Sequence, residues 1–121
     1  MPTIAFLANL STAEHKRRWD LLTKHAGDGV NVVVADPTGS PGEVIEALKD
    51  ADAVVPWLAS IPLDIAEQLP KLKLVQLLTA GYDALDVIGL GKLGISVANN
   101  GGSNAISVSE HAMSLMLSVY R

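Results

Sequence analysis

The sequence contains no cysteine. A disulfide framework, a thiolate zinc site and a cysteine nucleophile are excluded together. It is equally short of positive charge. Nine Lys and Arg stand against thirteen Asp and Glu, a net charge of −4. Nucleic acid and anionic membrane are therefore not expected as partners, since phosphate binding is driven by clustered Lys and Arg. The one basic cluster, Lys16-Arg17-Arg18, reads as a solvated helix face. No run approaches the roughly 18 apolar residues of a membrane span. The start, Met1-Pro2-Thr3-Ile4-Ala5, lacks the basic and apolar regions of a signal peptide. These absences give the expectation of a cytoplasmic protein, in which the sequon Asn9-Leu10-Ser11 carries no meaning.

What is present is a chain of 121 residues, 49% hydrophobic and 18% charged. That suits one domain, burying roughly two thirds of its unfolded surface, and excludes disorder. The apolar content is high for so small a domain and points to surface meant to be covered. Short β-rich runs alternate with amphipathic ones. Thr3 to Ala8, Val30 to Ala35, Ala53 to Trp57, Leu72 to Leu78 and Ile95 to Ala98 read as strands. Ser11-Thr12-Ala13-Glu14 predicts a capping box opening a helix with Trp19, Leu22 and Ala26 on one face, ended by Gly27. Ser40-Pro41-Gly42-Glu43 predicts a second, burying Val44, Ile45 and Leu48. Pro62 opens a short helix holding Ile65 and Leu69, which Pro70 closes, and a last helix runs from about Ala105 to Arg121.

Five strands alternating with helices predict an α/β fold, a flavodoxin-like, doubly wound parallel five-stranded sheet with a long C-terminal helix. In such sheets ligands sit beyond the carboxyl ends of the strands. The segments of interest are Asn9-Leu10, Asp36-Pro37, Leu58-Ala59-Ser60, Thr79 to Asp83 and Asn99 to Asn104. Gly89-Leu90-Gly91-Lys92-Leu93-Gly94 spells a dinucleotide fingerprint. That fingerprint must follow a strand and open a helix. Here it follows a helical stretch and runs into Ile95-Ser96-Val97, so it reads as a helix-ending turn with Gly94 in the left-handed region.

A stronger signal lies in Lys71 to Asp83, a strand ending in Thr79-Ala80-Gly81-Tyr82-Asp83, and in Gly94-Ile95-Ser96-Val97-Ala98-Asn99, followed by Asn104-Ala105-Ile106-Ser107-Val108-Ser109-Glu110-His111. In this order and spacing the segments resemble the amino-terminal half of the D-isomer-specific 2-hydroxyacid dehydrogenases. The detailed match covers about residues 71–121; residues 1–70 match only in their order of strands and helices. The resemblance implies a substrate (catalytic) domain over 1–104 and the start of an interdomain helix over 105–121. A Rossmann domain carrying NAD or NADP and the catalytic Arg, Glu and His would lie beyond the chain, truncated here.

The resemblance further implies that Ala80 and Gly81 form a turn aiming backbone N–H groups at the carboxylate of a small 2-oxo or 2-hydroxy acid, Ala80 also touching the cofactor. Gly81 would serve by close approach or by a left-handed conformation. Asn104 is either an N-cap or an amide reaching substrate or nicotinamide, and the two roles are compatible. Val108 would pack toward the cofactor, and Ser60 is a weaker substrate contact in a loop lacking the Arg of many relatives. No catalytic residue and no metal ligand is expected in the chain. Glu110 and His111 point about 100° apart on their helix, and His15 and His25 read as surface residues. A homodimer is expected through the apolar last helix. The alternative is a non-catalytic flavodoxin-like regulatory or interaction module. Its receiver form fails, because Ala8-Asn9-Leu10 and Trp57-Leu58-Ala59 lack the acidic residues it needs.

Overall fold

A computed structural model describes residues 1–57 and 60–120. Strands and helices alternate: β1 (Thr3–Leu7), α1 (Ala13–His25), β2 (Asn31–Ala35), α2 (Pro41–Leu48), β3 (Ala53–Pro56), α3 (Leu63–Ala66), β4 (Leu74–Gln76), α4 (Val87–Lys92), β5 (Ser96–Ala98) and α5 (Ala105–Val119). The strands form one five-stranded sheet in the order β2-β1-β3-β4-β5, and every pairing is parallel. The anticipated doubly wound α/β fold is therefore present. Its register aligns Phe6 with Val34 and Val55, and Val75 with Val54 and Val97. All carboxyl ends consequently emerge along one edge.

Alternation along the strands divides the interior. Ala5, Leu7, Val54 and Val75 join Val44 and Leu48 of α2, Ala66 of α3 and Leu90 of α4 in the larger core. Phe6, Ala8 and Val55 face the opposite way, against Trp19 and Leu22 of α1. Phe6, Leu48 and Leu90 are among the largest fully buried side chains, each stabilising the fold by about 1.5–3 kcal/mol.

Local signals account for most element ends. Ser40 and Glu43 form the anticipated capping box of α2, with Pro41 in the first turn. Gly27 and Gly94 adopt φ of 73° and 77°, ending α1 and α4 in the left-handed region. At α1 the capping box expected at Ser11 and Glu14 does not form. Thr12 is the N-cap and accepts from the His15 N–H. Asn9 Oδ1 takes the Ser11 N–H at 2.9 Å, an Asx turn that holds Ser11 outside the helix, and Glu14 pairs with Arg18 instead at 3.1 Å. β4 is shorter than its apolar run, because the Leu72 N–H closes a turn onto the Leu69 carbonyl. Leu69 itself lies beyond the end of α3, and Arg121 lies outside the described residues.

The fingerprint-like glycines have structural work of their own. A Cβ at Gly89 would lie 2.5 Å from Leu63 Cδ1 and 2.6 Å from Asp86 Oδ2. Gly89 thus lets α4 sit against α3 while Asp86 caps α4, accepting the Gly89 N–H at 2.8 Å. Finally, α5 buries no residue. Ile106, Met116 and Leu117 are among its exposed apolar side chains.

Candidate functional site

β4 and β5 are adjacent and parallel, so their following loops leave the same end of the sheet. Two consecutive asparagines lock these loops together. Asn99 Nδ2 donates to the Ala80 carbonyl at 2.8 Å. The Asn100 N–H donates to the Thr79 carbonyl at 3.0 Å, and Asn100 Nδ2 to that of Leu78 at 3.5 Å. Within the first loop, the Thr79 hydroxyl donates to the Gly81 carbonyl at 2.9 Å. The carbonyls of the turn are thereby engaged. Its N–H groups are not: those of Ala80 and Gly81 have no hydrogen-bond partner among the described residues. Two unpaired donors on a turn braced from behind are suited to an anionic oxygen.

Beside this turn is a cavity of about 260 Å³, lined by Pro56 at the end of β3 and Ser60 after it, Leu77 and Thr79 after β4, and Gly81 to Leu85. Ser60 and Gly81, both singled out from the sequence, therefore share one cavity. Ala80, Asn104 and Val108 are not in its lining. Gly81 does not adopt a left-handed φ, which removes that explanation for it. A Cβ there would meet only Asp83 Oδ2 at 3.7 Å, so the residue leaves room for a ligand rather than for the fold. Among the described residues no Lys or Arg lines the cavity, and Asp83 does. A bound carboxylate would need its countercharge from outside this lining.

Asn104 occupies the N-cap position of α5, with φ −111° and ψ 5°, but its side chain makes no capping bond. Only its carbonyl is engaged, accepting from the Val108 N–H at 2.9 Å and the Ser107 hydroxyl at 3.2 Å. The expected capping role is thus not taken up, because ψ near zero is not the extended geometry of a side-chain cap. Val108 lies one turn along and is exposed. Leu58 and Ala59, flagged with Ser60, lie outside the described residues.

At the β1–β3 junction, where the strand order reverses, sequence reasoning missed a cluster. The His15 ring, expected at the surface, is half-buried. Its Nδ1 lies 2.5 Å from the Asn9 carbonyl, and its edge meets Trp57 with centroids 5.4 Å apart. Arg18 stacks over Trp57 at 4.1 Å, so Lys16-Arg17-Arg18 is not wholly a solvated face. These side chains occupy the switch point where such folds often bind ligands. Among the described residues no cluster could hold a metal ion, and no helix is long and apolar enough to cross a membrane.

A braced glycine turn beside a cavity thus lies at the carboxyl edge of a flavodoxin-like α/β sheet. Comparison with known proteins makes the class specific. Residues 5–118 match the family described as D-isomer specific 2-hydroxyacid dehydrogenase, catalytic domain. The chain belongs to this family. A glyoxylate reductase of Thermococcus litoralis is 32% identical over 88 residues, covering 71% of this chain and 27% of that protein. Glyoxylate/hydroxypyruvate reductase B of Yersinia pestis is 28% identical over 120 residues, covering 99% of this chain and 35% of that protein. In fold, the chain is similar to an NAD-dependent formate dehydrogenase of Staphylococcus aureus solved with NAD, with a TM-score of 0.74 at 24% identity, over 97% of this chain and 38% of the other. The chain thus spans about a quarter to a third of the length of these curated relatives.

Proposed function

We propose that this chain is the substrate-holding part of an NAD(P)-dependent oxidoreductase that interconverts small 2-oxo acids and D-2-hydroxy acids. The observation carrying the reading is the pair of N–H groups at Ala80 and Gly81, unpaired among the described residues, on a turn braced by Asn99 and Asn100 and opening beside the cavity that Ser60 lines. The substrate carboxylate accepts from these two donors, Ser60 borders the bound acid, and the unengaged Asn104 amide closes over it. A nicotinamide held by a Rossmann domain joined through α5 would supply the hydride chemistry, with Ala80 and Val108 as the residues of this chain that would border it.

This chain's share of the cofactor contact is small. Ala80 and Val108 offer backbone and an apolar side chain, suited to a nicotinamide ring. The Ala80 N–H is given to the substrate carboxylate and that of Val108 to the Asn104 carbonyl, so neither is left for the pyrophosphate, and the Gly89–Gly94 segment is occupied in packing α4 and turning into β5. The polarising cation and the acid–base group also come from the joined domain, which answers the lack of Lys and Arg around the cavity. The joined domain and a second copy together cover the exposed α5, giving a homodimer of the whole enzyme.

The test joins this chain to the NAD-binding domain of a relative and measures reduction of glyoxylate, pyruvate and hydroxypyruvate. Turnover is expected in the fusion and none in the 121-residue chain alone. Gly81→Val should raise KM at least tenfold, because the added side chain occupies the approach to the donors while meeting little of the protein. Unchanged KM in that variant would refute the assignment of the turn.

A further inference from the structure

Ser60 borders a second cavity as well as the first. This neighbour has a volume of about 230 Å³ and lies over the carboxyl end of β1, between the loop after β2 and the starts of α2 and α3. Leu7, Pro37, Pro41, Val44, Ile61 and Ile65 are among its lining, and no charged side chain among the described residues contributes to it. For scale, a dry cavity of about 150 Å³ with aliphatic and aromatic walls is sufficient to bind benzene. The shared wall makes the two cavities neighbours along the same sheet edge, one with backbone donors and the other apolar.

Resting on the function proposed above, we infer that the second cavity receives the substrate's side chain and that the preferred acid is a 2-oxo acid with a branched or aromatic apolar side chain. A carboxylate held at Gly81 leaves the rest of the acid to extend past Ser60. A one-carbon substituent or a hydroxymethyl group leaves an apolar cavity of this size unfilled. An isobutyl or benzyl group fills it and exchanges water for aliphatic wall. Each methylene fully buried is worth about fourfold in affinity. With three further carbons about half buried, 4-methyl-2-oxopentanoate gains about tenfold over pyruvate.

The test is a titration of the fusion with a relative's NAD-binding domain, isotope-labelled in this chain's residues, by amide and methyl NMR with glyoxylate, pyruvate and 4-methyl-2-oxopentanoate. All three should shift the Gly81 amide. Only the branched acid should also shift the Val44 and Ile65 methyl signals, and it should bind about tenfold more tightly than pyruvate. Ile65→Phe fills the cavity and should abolish that advantage while leaving the glyoxylate response at Gly81. Pro37→Tyr at the rim does the same should the first variant lose its dispersed spectrum. Gly81 shifts of equal affinity for all three acids, without methyl shifts, overturn the side-chain cavity and leave the carboxylate turn standing. Absence of any Gly81 shift overturns both.

Discussion

The three glycines of the Gly89–Gly94 segment make opposite demands, and replacing each by alanine separates them. In α4, Gly91 has nothing within 4 Å of an added Cβ. Gly91→Ala removes only the conformational cost of glycine in a helix and should stabilise by about 0.5 kcal/mol in so short an element. Gly89→Ala gains the same propensity, but its Cβ would stand 2.5 Å from Leu63 Cδ1 and 2.6 Å from Asp86 Oδ2. Leu63 packs against the larger core, and Asp86 is fixed by its capping bond. Forcing packed groups aside costs about 1–3 kcal/mol, and weakening the cap about 1 kcal/mol more. The net effect should be a loss of about 1–3 kcal/mol. Gly94 sits at φ 77°, where alanine costs about 1–2 kcal/mol, partly offset by a stiffer unfolded chain worth about 0.4–1 kcal/mol. Urea denaturation should therefore place Gly91→Ala above the parent, Gly89→Ala below it by about half a molar in midpoint or more, and Gly94→Ala below it by a smaller amount. A phosphate-binding loop would show no such order, since its glycines are kept for a ligand. A stabilised Gly89→Ala or a destabilised Gly91→Ala refutes the packing account.

The remaining expectations concern acid, the loop brace and α5. Hydrogen bonds from the backbone N–H and hydroxyl of Ser40 hold the Glu43 carboxyl below its ordinary range, as Thr38 does for Asp36 and Lys71 for Asp50. Their contribution is complete above the unfolded carboxylate pKa values and is lost as pH falls through the lowered folded ones. Stability should thus fall from about pH 5 downward, and Glu43→Gln should flatten that fall in urea midpoints measured from pH 7 to pH 3; an unchanged slope would count against the capping carboxylate. Asn99→Ala frees the Ala80 carbonyl, and in the fusion enzyme it should raise KM for the 2-oxo acid several-fold with little change in urea midpoint; a KM equal to the parent's would show that the brace does not position the turn. The isolated chain should self-associate through α5, with Leu115→Glu and Leu117→Glu shifting sedimentation toward monomer, whereas a parent monomeric at high concentration contradicts the idea that α5 awaits a partner.

Elements governed by neighbours in sequence were legible in it. Ser40 caps α2 because the bond it accepts and the one Glu43 makes in return span three residues, a spacing visible in the letters. Gly27 and Gly94 end helices because few other residues tolerate their backbone geometry. The parallel order followed from the alternation of strand and helix alone. Where two local options compete, the letters were insufficient. Ser11 and Thr12 are equivalent capping residues on paper, and the choice was made by an Asx turn from Asn9. Likewise, His15 and Arg18 have the polarity of surface residues, and only the placement of Trp57 at the end of β3 draws them inward.

The site divides along the same line, and the division explains its incompleteness. Gly81 and Ser60 could be chosen from the sequence because their side chains, or the lack of one, have chemical character. The donors at Ala80 and Gly81 could not, since every residue but proline carries a backbone N–H and only the fold decides which are left unpaired. What holds their turn in place is the Asn99–Ala80 bond, spanning 19 residues and fixed by two strands lying side by side. The cavity next to them carries Asp83 and, among the described residues, no cation. By itself such a lining repels the carboxylate that the donors attract. The two facts agree if the positive charge arrives from a second domain, so that the acid is held firmly only when both domains close on it. Binding and chemistry would then be completed in one motion, with water excluded at the moment the countercharge is supplied.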